Sequence, residues 1–409
     1  MARITNIHSH VFTGGCAPDY FFKMVLPSWA DRWADEIKFF LEKPWMRRII
    51  KAMASRRGHS QLLRYLQFIE VGTQSTQEEV FVSMRNAYAV FGPEVRFVAL
   101  TLNMDHMDVQ ASNHARIETQ LAEVERVRTH YPDVFFPFVG VDPRHLSGVA
   151  LRDWVKEKVE RRMFFGIKIY PSIGFFPFDA GLDELYKWAE AEQVPVMTHC
   201  TRSGTFYTGA MDQVLADPRP SGLNPMAPEM VDIHARITAF KNNPFSWKDS
   251  KYGCNIFLHP QNYEPVLRKY PKLKLCFAHF GGDDEMLNEK QPLRDKGIDP
   301  TNWHNEVKRI MSTTNAQGDL LYPNTYTDIS YTLFRDKIYP LLLPLIDGPL
   351  GDRILFGTDF FMTLREDPEA ALLKRCIDGM TMERFRRIAM NNNDNFLRSS
   401  RYDPASPIA

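Results

Sequence analysis

Eight short runs rich in β-branched and aromatic residues recur along the chain, each separated from the next by a longer stretch, most of them of helical periodicity. In order they read RITNIHSH, VRFVALTLN, VFFPFVGVD, FFGIKIYP, VPVMTHC, LKLCFAHFGG, NTYTDISYT and DRILFGTDF. A strand followed each time by a helix leaves the next strand to pair in parallel, and eight such units close into a (β/α)8 TIM barrel, an α/β fold. The periodicity predicts helices over 76–91, 114–130, 148–162, 182–192, 260–270, 335–346 and 367–377, the first capped by Ser75 with acidic residues behind it.

The 409 residues exceed the roughly 250 typical of such a barrel. We expect one domain over 1–409, with insertions at about 14–74, 201–258 and 283–323. The first carries Trp29, Trp33, Trp45 and the basic run Arg47, Arg48, Lys51, Arg56 and Arg57; the second is rich in Pro, Gly and Asn. Each follows a strand, so each belongs to the carboxyl-terminal face where barrel active sites sit. With 44% hydrophobic and 24% charged residues, such a chain can bury a substantial core.

Fifty basic residues balance fifty acidic ones, which leaves no field to attract a phosphate backbone or an anionic membrane surface. Cys16, Cys200, Cys254, Cys276 and Cys376 are odd in number, far apart and without a C-x-x-C pair, as in free thiols of a reducing compartment. No apolar run approaches the roughly 20 residues that span a bilayer. These features point to a cytoplasmic enzyme with a small-molecule substrate, no nucleic-acid or membrane partner, and a homodimer as the expected assembly.

In the first run, His8 and His10 are two apart, so on a strand of period 2 they face one way. Two imidazoles aimed together suit one cation. His199 ends the fifth run, His279 the sixth and Asp359 the eighth. By alternation His199 shares a face with Met197, and His279 with Phe277 and Leu275, which directs both toward the lumen. Lys168 and Tyr170, flanking Ile169 in the fourth run, face the lumen too. A buried lysine needs a partner, and three stay open: a structural ion pair, a substrate carboxylate, or carbamylation to bridge two metals. Arg202, three residues past His199, and aromatic residues near the strand ends suit an apolar or aromatic substrate bearing a carboxylate.

The set IHSH, GIKIYP, PVMTH, KLCFAHFGG and LFGTDF, with HPQNYEPVLRKYPKLKL and the tail NNNDNFLR, resembles the amidohydrolase superfamily. Within it, the similarity is to the amidohydrolase-related (amidohydrolase 2) group that includes aminocarboxymuconate-semialdehyde decarboxylase. The resemblance implies that His8, His10, His199 and Asp359 ligate one divalent ion, usually Zn2+ with Mn2+ as the alternative. It makes His279 the acid/base group, and Asp359 serves both as ligand and as proton acceptor. Lys168, Tyr170 and Arg202 are then candidates for holding substrate, and a carbamylated Lys168 with two metals is the minor variant. The expected reaction is hydrolysis of an amide, lactone or related carboxyl derivative through metal-activated water. Decarboxylation or hydration of a small, aromatic acid at the same site is the alternative.

Overall fold

A computed structural model describes residues 3–16, 68, 70–107, 117–202, 204–216, 228–242, 254–289 and 301–404. Most of the 14–74 insertion, including its tryptophans and basic run, lies outside the described residues, as do parts of the other two.

All eight expected strands form: β1 Thr5–Ser9, β2 Arg96–Ala99, β3 Phe138–Val141, β4 Gly166–Ile169, β5 Val196–Thr198, β6 Leu275–Phe277, β7 Thr325–Asp328 and β8 Ile354–Leu355. They are shorter than the apolar runs, because the carboxyl ends turn into loops that carry the polar residues. Each is followed by a helix: α1 Gln77–Ala87, α2 Ile117–His130, α3 Gly148–Glu160, α4 Asp183–Glu192, α5 Glu264–Lys269, α6 Trp303–Ser312, α7 Tyr339–Asp347 and α8 Glu369–Arg386. The cap of α1 is Thr76 rather than Ser75. Its hydroxyl accepts from Glu79 N–H while the Glu79 carboxylate reaches back, a reciprocal capping box.

Strands β3 to β8 form one parallel sheet in sequence order and β1 pairs with β2. Isolated parallel bridges span both seams, Leu100 to Phe138 between β2 and β3 and Ser9 to Phe360 between β8 and β1. The result is a (β/α)8 barrel. Alternation sorts its side chains into two cores. Val139, Ile167, Ile169, Val196, Leu275, Phe277 and Ile354 pack outward with the helices. Ile7, Val98, Leu100, Phe138, Met197, Cys276, Tyr326 and Leu355 fill the interior. Residues after α8 close its floor: the Asn393 amide donates to Thr5 O and, at 3.0 Å, to Phe356 O, tying β1 to the end of β8.

The five cysteines are buried and none is bonded to another. No helix among the described residues is long and apolar enough to cross a membrane.

Candidate metal and acid/base site

The register of β1 against β2 shifts between Asn6 and Ser9. Such an irregularity re-aims side chains, and here it lets Ile7 and His8, neighbours in sequence, both serve the interior. Opposite, β8 approaches so closely that a Cβ on Gly357 would stand 2.6 Å from His8 Cβ. The Asp359 N–H donates to His8 O at 2.8 Å, and Asp359 adopts a left-handed φ of 63°. These contacts deliver the Asp359 carboxylate to both histidines, with Oδ1 3.2 Å from His10 Nε2 and 3.5 Å from His8 Nε2.

Hydrogen bonds on the far ring nitrogens fix the tautomers. His10 Nδ1 lies 2.9 Å from Leu100 O and His8 Nδ1 2.9 Å from Asp328 Oδ2. A carbonyl and a carboxylate only accept, so both Nδ1 atoms carry the proton and both Nε2 atoms keep a lone pair. His8 Nε2 and Asp359 Oδ1 are buried and lack a hydrogen bond among the described residues. Two buried acceptors facing each other without a proton between them fit a cation, and the carbonyl and carboxylate behind the rings match the usual support of metal-bound histidines. Ligand atoms of His8, His10 and Asp359 all lie within 4.8 Å of one another, as do those of His8, His279 and Asp328. Burial pushes the His8 imidazole down to about 3, so it is neutral. Burial raises Asp359, but the closeness of His10, His8 and His279 outweighs it and holds the carboxyl below its ordinary range.

His279 reaches the lumen by a route that alternation does not describe. Phe277 and Leu275 pack on the helix side, so continued extension would have carried His279 outward with them. Instead its φ is 65°, and the left-handed turn brings the ring to 4.8 Å from those of His8 and His199. Burial lowers its pKa. His279 Nε2 is 3.1 Å from His199 Nδ1, and the His199 ring stacks on Tyr170 at 4.2 Å with its Nε2 3.3 Å from the Tyr170 hydroxyl. His199 is thus in the lumen as expected, engaged with His279 and Tyr170 rather than grouped with His8, His10 and Asp359.

Lys168 is buried in the interior with no hydrogen-bond partner for its Nζ among the described residues. The structural ion pair, one of its three readings, does not form among the described residues. Burial lowers its pKa to about 8, with Asp328 and Asp359 pulling the other way. Arg202 is committed elsewhere: Nε donates to Glu285 Oε1 at 2.5 Å, an Nη to Thr301 O at 2.6 Å, and the guanidinium lies over Trp303. An aromatic shelf runs from His10 through Phe12 and Phe361 to Phe68, with ring centroids 5.2 to 5.7 Å apart.

Two residues of the site were not singled out from the sequence. Asp328 and Ser330 alternate with the interior residue Tyr326 on β7, so the period-2 pattern of NTYTDISYT contained the signal. Asp328 Oδ1 accepts from the backbone N–H of His279 and of Ser330, each at 3.0 Å. Burial raises Asp328, yet His8, the His279 imidazole and the Ser330 hydroxyl hold it ionised well below the usual carboxylate range. Behind β8, Asn6 donates to Tyr88 and Thr358, and both hydroxyls donate to Glu369 Oε1, at 2.7 and 2.8 Å.

The sequence matches the Amidohydro_2 family, described as amidohydrolase, over residues 88–392. No curated protein matches it. Solved structures of similar fold include a 5-carboxyvanillate decarboxylase from Novosphingobium aromaticivorans complexed with manganese, 13% identical, covering 97% of this chain and 96% of that one at a TM-score of 0.50. A dihydroxybenzoic acid decarboxylase from Polaromonas with bound manganese is 15% identical, covering 97% of each chain at 0.48. An uncharacterised TIM-barrel protein from Bordetella bronchiseptica is 12% identical, covering 97% and 98% at 0.48. At these identities the likeness is one of fold. The family match begins after β1 and so stands without His8 and His10, and on it the chain belongs to the amidohydrolase family.

Proposed function

We propose that the protein is a metal-dependent enzyme that removes carbon dioxide from a small, aromatic or unsaturated carboxylic acid without oxidation. The observation that carries the metal is the facing pair of unbonded acceptors, His8 Nε2 and Asp359 Oδ1. His8, His10 and Asp359, whose ligand atoms lie within 4.8 Å of one another, hold one divalent ion. The imidazole-rich donors suit zinc, and manganese, which favours carboxylate ligands, is the second choice. When bound, the ion acts as a Lewis acid that polarises a substrate oxygen.

Selection of an acid rests on Lys168, a buried cation without a hydrogen bond among the described residues, in a lumen otherwise set to accept protons. It pairs with the substrate carboxylate, while Phe12, Phe361 and Phe68 offer an apolar wall. His279, neutral through burial, takes a proton from a substrate hydroxyl or acid group and returns it to the carbon that loses its carboxylate. The C–CO2 bond breaks, a C–H bond forms, and the acid yields RH and CO2 with no oxidant or reductant. The same reaction class is named for the carboxyvanillate enzyme that shares the fold.

Hydrolysis of an amide or lactone is the second reading, favoured by Asp359, an ionised carboxylate placed to take a proton from water beside the ion. Carbon dioxide release from a panel of hydroxybenzoates and muconate-type acids, run beside lactone and amide hydrolysis, separates the two. Turnover only in the hydrolytic arm overturns the decarboxylase reading, and failure to take up zinc or manganese overturns both. Lys168→Gln is expected to raise KM at least tenfold with a smaller change in kcat, the cost of about 1.4 kcal/mol or more in a charge-assisted contact. An unchanged KM removes Lys168 from substrate binding, and two metals per chain would assign it to carbamate instead.

A further inference from the structure

The end of β7 places Asp328 and Ser330, both fully buried, behind the two central imidazoles. Ser330 Oγ lies 2.9 Å from His279 Nδ1 and 3.0 Å from His8 Nδ1, and it also contacts Asp328 Oδ1. A serine hydroxyl has one proton to give. The carboxylate is the strongest acceptor in reach, so the proton goes to Asp328 and Ser330 Oγ is left to accept. His279 Nδ1 also faces Ser330 O at 3.2 Å, and a carbonyl only accepts. Both neighbours therefore demand a proton on His279 Nδ1, which puts the lone pair of the neutral ring on Nε2, toward His199. Asp328 Oδ2 imposes the same tautomer on His8.

We infer that Asp328 and Ser330 form one positioning unit that fixes His8 and His279 in the Nδ1–H tautomer together. One buried carboxylate thereby supports an imidazole assigned to the metal and the imidazole assigned to proton transfer. Asp328 acts on His8 directly and on His279 through the Ser330 hydroxyl and through the His279 backbone N–H, which it accepts at 3.0 Å. The division of labour is specific: loss of the hydroxyl leaves His279 with only the longer contact to Ser330 O and leaves His8 held by Asp328, whereas loss of the carboxylate loosens both. This inference rests on the reading of His279 as the acid/base group only for its effect on turnover; the tautomers stand on hydrogen bonding alone.

Imidazole 15N spectra of the full-length, histidine-labelled protein test it without any substrate. The signals are assigned by difference from His279→Asn and His8→Asn. Nδ1–H tautomers at both positions are expected, and Nε2–H at His279 in the wild-type protein overturns the inference. In Ser330→Ala the His279 signature is expected to change while His8 keeps its own. Metal content should stay at the wild-type level and KM within about twofold, while kcat falls about 10–100-fold, the usual cost of removing such a support. Ser330→Thr, which keeps the hydroxyl, is expected to keep the wild-type His279 signature and most of kcat. Asp328→Asn should disturb both signatures and weaken metal binding about 10–100-fold in a direct titration. Wild-type kcat in Ser330→Ala with an unchanged spectrum overturns the proposal, and if that variant does not fold, the wild-type and threonine spectra decide it. Full turnover by His279→Asn would instead sink the acid/base reading, leaving the tautomer result to be judged by itself.

Discussion

Glu369 is a buried carboxyl with unequal oxygens: Oε1 accepts from Tyr88 and Thr358, whereas Oε2 has no hydrogen bond among the described residues. Burial raises its pKa from 4.5 to about 7. Below about pH 4.5 the folded and unfolded chains both hold the proton. Between there and about pH 7 the unfolded chain releases it first, so this group's contribution to stability is lost as pH rises, by about 3 kcal/mol in all. Urea unfolding across that window should show a steeper loss of stability for the wild-type protein than for Glu369→Gln; parallel curves would refute it. At this scale the sequence was legible where a ligand-type residue stood at the end of an apolar strand, as with His8, His10, His199 and Asp359. It was less so for Asp328 and Ser330, which sit in a run already polar on both faces, and for the route of His279, whose backbone turn no periodicity encodes.

Strand ends concentrate the unusual backbone. His279, Phe280, Tyr331 and Asp359 all have φ between 49° and 65°, each a cost of about 1–3 kcal/mol that the surrounding packing must overcome. They follow β6, β7 and β8, where polar side chains are turned toward the lumen. Elements were thus readable in type and order from apolar runs and helical periods. Their limits were not, because the transition from strand to loop depends on contacts between distant segments, such as the approach of β8 to β1 at Gly357. A methyl group there would meet His8 Cβ at 2.6 Å and His8 N at 3.0 Å. Gly357→Ala is expected to destabilise the fold by about 1–3 kcal/mol and, by pushing β1 away, to weaken zinc or manganese binding. Thermal unfolding and metal titration check the two effects, and unchanged affinity would show that β1 yields without moving His8.

For the barrel as a whole, a cation bound only by the folded state adds stability by mass action, about 2.7 kcal/mol at one hundred times Kd. Added zinc or manganese should therefore raise the Tm, a chelator should reverse the gain, and His10→Ala should abolish it. A Tm indifferent to metal would contradict the assigned donor set. The cyclic order of strands was legible because each βα unit can pack only beside the last, and β1 then has β8 as its remaining neighbour. That seam joins Ser9 to Phe360 and is braced from below by Asn393. During synthesis it has a temporal meaning. His8 and His10 leave the ribosome about 350 residues before Asp359, so no nascent chain can present the complete donor set until the last strand of the barrel has been made. Capture of the ion is a late event that reports the joining of the two ends of the barrel, and a protein stalled or cut short within the last strand carries its histidines without the means to use them.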